Sequence, residues 1–225
     1  MLLAGYQERA GGNAAPDGTL ALITRALRFF ATRRMAVSRA VSAGLLVLVI
    51  STESAHAGTL LATVLFAAGL ALVGVATVGR LWCSLYISGY KNAQLVTMGP
   101  YSVSRHPLYF FSLLGIVGVG LTTETIAIPA AAVLLALMGY PTVIGREESV
   151  LRARFGAAFD AYRAATPALL PAWRLYAEPA SWVVNPKLFR RTMVDVVWFV
   201  WLVALIELMN ALHTLHVIEP LFHLQ

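Results

Sequence analysis

The chain has 225 residues, of which 59% are hydrophobic and only 12% charged, with a mean hydropathy of +0.73 and a formal net charge of +6. Soluble domains carry about twice that charged fraction, so the composition excludes an ordinary soluble domain and points to an all-α, polytopic membrane helix bundle. In so apolar a chain the positive charge is read as a match for anionic membrane lipids, not for nucleic acid.

Residues 1–20 are Gly- and Ala-rich without a long apolar run, and are read as carrying no secretory signal. Residues 20–34 (LALITRALRFFATRR) interleave leucine and phenylalanine with arginine, the pattern of a basic amphipathic helix lying on the membrane surface. Five apolar runs follow: Ala36–Thr52, Ala57–Gly79, Pro107 to about Thr122, Ile126–Ile144 with a kink expected at Pro141, and Val194–Leu215. About five transmembrane spans are therefore expected, with cytoplasmic interfacial helices between them. The single cysteine, Cys83, sits among Leu81, Trp82 and Leu85 and is read as a packing residue. With only one thiol, an intramolecular disulfide and a thiolate metal cluster are both excluded, and no metal site is expected. Gly69, Gly74 and Gly79 in the second run permit close helix contact, including association into a homodimer.

Charge suggests the orientation. With the N-terminus in the cytoplasm and five alternating spans, every Lys and Arg falls on the cytoplasmic side, as the positive-inside rule requires. The opposite loops then hold Glu53, His56, Glu124 and the tail from His213. The expected location is a bacterial inner membrane, with the chemistry on its cytoplasmic face. Three segments result: a cytoplasmic N-terminal segment 1–35, a membrane core 36–192 and a C-terminal span and tail 193–225. Glu207, deep in the fifth run, is read as protonated or hydrogen-bonded to Asn210 in preference to a substrate role.

The densest polar chemistry is GPYSVSRHPLY, residues 99–109. Gly99-Pro100 is a turn signal, and Pro107 at a first helical position pushes His106 out of the α region. Arg105 and His106 then stand at a helix N-terminus, where backbone N–H groups and the dipole favour an anion. Lipid phosphate is one such anion, and simple capping by His106 is an equally structural reading. About forty residues on, EESVLRARFGAAFDAY carries the adjacent carboxylates Glu147 and Glu148 directly after an apolar run. Glu147, Leu151, Phe155, Phe159 and Tyr162 fall on one face at helical spacing, as in an interfacial helix. Carboxylates facing an Arg-His pair at one membrane depth would suit a zwitterionic ligand.

The two blocks, GPYxxxRHPxY and EExxLxxxFGxxFxxYxxxxP, resemble the isoprenylcysteine carboxyl methyltransferase and phospholipid methyltransferase superfamily over roughly residues 90–171. That resemblance implies S-adenosylmethionine as cofactor. It implies cofactor contacts from Gln94, Leu95, Val96, Tyr101, His106, Pro107, Leu108, Tyr109 and Glu147. Arg105, Glu148 and Arg146 would orient a lipophilic small-molecule or prenylated acceptor entering from the bilayer. One departure concerns the acceptor: where the prenylcysteine enzymes have an arginine one turn before the glutamate, this chain has Val143, with Arg146 adjacent to Glu147 instead. A carboxylate acceptor is already ionised and needs no base, whereas an amine would call on Glu148 or Tyr109. Two rival functions are a phospholipid N-methyltransferase and an NADPH-dependent sterol or lipid reductase of related architecture; a third reading is a membrane scaffold without catalysis. No GxGxxG follows a strand-like run, so the soluble methyltransferase fold is not expected.

Overall fold

The computed structural model describes residues 58–88, 90 and 94–215, with the backbone of two three-residue strands, Thr52–Ser54 (β1) and Phe222–Leu224 (β2), which pair in parallel. The surface helix expected over 20–34 and nearly all of the span expected over Ala36–Thr52 lie outside these residues. The other elements are helices: α1 (Leu60–Ile87), α2 (Pro100–Val103), α3 (Pro107–Leu121), α4 (Ala127–Phe155), α5 (Ala157–Ala165), a short 3-10 turn (Trp173–Leu175) and α6 (Pro186–Thr214). Three of these, α1, α4 and α6, are long and apolar enough to cross a membrane. At 15 residues, or about 22 Å, α3 is shorter than a hydrocarbon core of about 30 Å.

Helix boundaries differ from the sequence reading in three places. First, α1 does not stop at Gly79 but continues through Arg80 to Ile87. Thr59 caps its start by accepting the Ala62 N–H at 3.2 Å, and no turn residue interrupts it before Ser88. Arg80 does not end the helix, because the bundle accommodates part of its side chain: it donates to the Ser112 hydroxyl and lies 5.4 Å from the Phe199 ring centroid. Second, the fourth span and the interfacial helix expected after it are one helix, α4, unbroken through Pro141. The break comes at Gly156, whose φ of +52° lies in the left-handed region that glycine tolerates. Phe159 and Tyr162 therefore belong to a separate helix, α5, on which Phe159 is fully buried. Third, α6 begins at Pro186 and not near Val194. Asn185 caps it, its side-chain oxygen accepting the Lys187 and Leu188 N–H groups at 3.1 and 3.3 Å, with Pro186 at the first helical position.

Packing follows from small residues. Gly69 on α1 meets Gly118 and Thr122 on α3 so closely that an added Cβ would lie 2.6 Å from the Gly118 carbonyl oxygen. Further along, the Phe111 ring fills the space over Gly79. These contacts make α1 and α3 antiparallel. Pro129 of α4 packs on Gly120, and Phe199 of α6 on Gly115, so both helices also lie along α3. The core nearest the 99–109 motif is Cys83, Tyr86, Val96, Tyr101 and Phe111.

Candidate functional site

The segment after α5 holds the motif in place. Residues 99–106 run beside residues 167–177, with Arg105 N–H donating to Pro167 O and His106 N–H to Ala168 O, both at 2.9 Å. Ala172 N–H donates to Val103 O at 2.9 Å and Gly99 N–H to Ala177 O at 2.8 Å. Ser104 adds side-chain bonds to the carbonyls of Ala168 and Leu169, each at 3.1 Å. Tyr162 of α5 donates its hydroxyl to Tyr101 O at 2.6 Å. This explains physically why the two sequence blocks belong together: TPALLP supplies the hydrogen-bond partners that the non-helical stretch around Ser104–His106 would otherwise lack.

At that seam Arg105, His106, Tyr109, Glu147 and Glu148 converge. His106, with φ −128°, sits just ahead of Pro107 and outside the helix, as the X-Pro rule predicts. Glu148 is nearly enclosed, its side chain 10% exposed. Its Oε1 accepts from Arg105 Nε and Nη2, both at 2.8 Å, and lies 3.3 Å from His106 Nε2; its Oε2 lies 3.2 Å from Arg163 Nε. Arg105 donates further to the carbonyls of Arg163 and Thr166. The anion expected at this helix N-terminus is therefore supplied by the protein itself, as Glu148.

Glu147 behaves differently. Its side chain is 42% exposed. Its Oε1 accepts from the Tyr109 hydroxyl at 2.7 Å, while its Oε2 lies 3.7 Å from His106 Nδ1, too far for a hydrogen bond. No Lys or Arg among the described residues pairs with it. The Tyr109 ring stacks obliquely on Tyr140, 5.2 Å between centroids, and the Tyr140 hydroxyl donates to Tyr109 O at 3.2 Å. Burial holds His106 below the ordinary imidazole range, opposed by its bond to Glu148, so the ring is neutral near pH 7. Burial also pushes the Tyr101 and Tyr162 hydroxyls up, so both stay protonated.

The other expected residues lie around this centre. Val96 and Tyr101 are buried in the adjoining core, and Pro107 is fully enclosed at the head of α3. Leu108 packs against the same core, whereas Gln94 is exposed and Leu95 partly buried on the approach to Gly99. Arg146 is exposed, one helical step of about 100° from Glu147. Sequence reasoning missed Arg163 as the second cation on Glu148. The signal that could have found it is Gly156 after the basic last turn of α4, a helix stop that turns α5 back toward the motif. It also missed Arg80, which lies just past the end expected for the second run and falls inside α1.

The phospholipid methyltransferase family matches residues 57–158 of the chain. The cobalt-zinc-cadmium resistance protein CzcN of Cupriavidus metallidurans is 44% identical over 178 residues, covering 79% of this chain and 82% of its own length. The nickel-cobalt-cadmium resistance protein NccN of Alcaligenes xylosoxydans xylosoxydans is 40% identical over 171 residues, covering 76% of this chain and 80% of its own. No solved structure matches the chain.

Proposed function

The chain belongs to the phospholipid methyltransferase family of integral membrane proteins, and from that premise we propose that it is an S-adenosylmethionine-dependent methyltransferase acting on a lipophilic acceptor, in the manner of isoprenylcysteine carboxyl methyltransferases. The observation that carries this reading is Glu147. It is a half-exposed carboxylate fixed by the Tyr109 hydroxyl and without a Lys or Arg partner among the described residues, next to a carboxylate that two arginines neutralise. A fixed acid lacking a counter-ion suits a cationic ligand, and the cofactor carries both an ammonium and a sulfonium. When bound, it supplies an electrophilic methyl group.

The chain's own residues do the positioning. Glu147 holds the cationic side of the ligand, with Tyr109 fixing the carboxylate's direction. Glu148, Arg105 and Arg163 lock the rotation of α4 so that Glu147 keeps that aim. The backbone from Gln94 to Tyr101, tied down by residues 172–177, forms the adjoining wall. A carboxylate acceptor would need no base here. For an amine, the Tyr109 hydroxyl is the group able to take part, because it can pass its own proton to Glu147. All the described Lys and Arg residues lie from Arg80 onward in the half of the bundle that carries this site, and we take that half as cytoplasmic. Calorimetry tests the reading: Glu147→Gln should weaken adenosylmethionine binding by about 30- to 150-fold, the equivalent of losing one charge-assisted contact. Unchanged affinity in a folded variant would refute it.

The named relatives connect the family to metal tolerance, and we extend that to this chain as the purpose of the methyl transfer. Metal capture fits less well. No group of three His, Cys, Asp or Glu side chains suited to a metal occurs among the described residues. Glu147 and Glu148 lie against opposite nitrogens of His106 and do not converge. In a strain lacking the protein, the wild type should restore growth on cobalt or cadmium and Glu147→Gln should not. Full rescue by that variant would separate resistance from methyl transfer.

A further inference from the structure

Among the described residues four buried side-chain polar atoms have no hydrogen-bond partner: both ring nitrogens of His213, at the far end of α6, and, at the site end of the bundle, Arg80 Nε and the Tyr101 hydroxyl. The last two are enclosed, and leaving a buried donor unmade is costly, the more so for a charged group away from water. They are also close neighbours in the fold. Arg80 lies one turn from Cys83 on α1, and Cys83 and Tyr101 share one core cluster. Each is within electrostatic reach of the other, and Tyr101 is within reach of Glu147.

The plain alternative is that Arg80 reaches back to the membrane surface or is neutralised by an acid. Neither fits the geometry. Helical side chains lean toward the helix N-terminus, which for α1 is away from the site end. The partners Arg80 does have lie deep: Ser112 is five residues into the short α3, and Phe199 is about 20 Å along α6 from Pro186. Asp195 attracts Arg80 at longer range, but no carboxylate among the described residues forms an ion pair with it. Tyr140 of α5's neighbour α4 also faces this space, bonded to Tyr109 O and within reach of Arg80. A cation and a phenol, each with an unused donor, therefore lie in the bundle interior on the inner side of Glu147.

We propose that Arg80 and Tyr101 form a binding site for the anionic oxo group, carboxylate or phosphate ester, of a lipophilic ligand that enters from the bilayer. Both donors then gain an acceptor, and the ligand's charge is matched where the membrane cannot solvate it. This rests on the methyltransferase reading in one respect only, that such a ligand is the methyl acceptor.

The test measures ligand binding by the purified full chain in nanodiscs, through its tryptophan fluorescence. N-acetyl-S-farnesylcysteine is compared with its methyl ester, and dioleoyl phosphatidic acid with dioleoylglycerol, so that the two arms separate a carboxylate from a phosphate. The anionic member of at least one pair should bind about tenfold tighter, as a charge-assisted bond in a dry site allows. Arg80→Met should reduce that preference to less than about threefold while adenosylmethionine affinity stays within about twofold. Tyr101→Phe, which deletes a hydroxyl that bonds to nothing, should weaken the preferred anion by about three- to fivefold. Equal binding within both pairs, or a preference that survives Arg80→Met, overturns the proposal. If Arg80→Met does not fold, an unchanged preference in Tyr101→Phe overturns it alone. Anion preference without adenosylmethionine binding would leave this site standing and remove the methyltransferase reading; the reverse would remove this site only.

Discussion

Replacing Glu148 and Glu147 by alanine, one at a time, should give two opposite phenotypes from adjacent residues. Glu148 accepts two bonds of 2.8 Å from Arg105, and both side chains are only 10% exposed. Removing one partner of such a pair leaves an uncompensated charge, at a cost of about 3–5 kcal/mol. The contact with Arg163, itself 53% exposed, adds no more than about 0.5 kcal/mol. Glu147 is 42% exposed and accepts one bond from Tyr109, so its loss should cost about 1 kcal/mol or less. Cys83 offers the assay, because the chain's only thiol is fully buried and reacts with a fluorogenic maleimide only on unfolding. Detergent-solubilised Glu148→Ala should label at a clearly lower temperature than wild type, and Glu147→Ala near the wild-type temperature but without adenosylmethionine binding. Unfolding of this kind is often irreversible, so temperatures are compared at one heating rate. If Glu147→Ala melts as early as Glu148→Ala, or Glu148→Ala melts with the wild type, the division between an anchoring and a ligand-facing glutamate is wrong.

Other substitutions probe the frame. Gly69→Ala puts a methyl group against the backbone of Gly118 and Thr122 and should cost about 1–3 kcal/mol, whereas Gly74→Ala meets nothing within 4 Å and should be neutral or slightly stabilising in the same thiol assay. Burial lowers the proton affinity of His106 in the fold, so its contribution is fully present above the ordinary value of about 6.5 and is lost as pH falls toward the folded value. Thermal stability should therefore drop between pH 7 and 5.5, and His106→Gln should flatten that drop; an equal drop in the variant counts against it. Glu207→Gln should keep near-normal methyl transfer, because α6 starts at Pro186 and carries Glu207 about 31 Å along, toward Glu124 and away from the site. A large loss of turnover with cofactor binding intact would move Glu207 into the substrate path.

Features governed by local chemistry could be read from the chain. Pro107 dictated both the start of α3 and the non-helical backbone at His106, because the proline ring clashes with a helical residue before it; with ψ at 54° that backbone is not fully extended. The clustering of Lys and Arg gave the end of the bundle where the polar site lies. What could not be read depends on tertiary partners. Arg80 looked like a helix end because an unpartnered charge belongs at an interface; only Ser112 and Phe199, from two other helices, make it tolerable inside. The run holding Pro141 looked complete at Ile144, but the helix continues through Pro141 and past Ile144 to Phe155. Arg105 looked available for a ligand, since nothing in RHP announces that Glu148 and two carbonyls of the 163–166 stretch will occupy it.

The pairing of two glutamates at 147 and 148 follows from helix geometry. Consecutive residues point about 100° apart, so the two carboxylates approach His106 at different ring nitrogens and take different hydrogen-bond donors. With Glu148 turned to Arg105 and Arg163, Glu147 is turned toward Tyr109 and the outer side of His106. The first contact fixes the rotation of α4, and the second inherits its aim from that rotation. The charges divide in the same way. Two arginines contact the buried carboxylate of Glu148, and neither of them pairs with Glu147. A single glutamate in this place could anchor α4 or receive a cation, but a carboxylate already holding Arg105 in two short bonds would have little left to offer a sulfonium. Exchanging the anchor for Gln should therefore loosen cofactor binding indirectly, through lost rotational register, and a second change restoring a carboxylate to that face should recover it without touching Glu147.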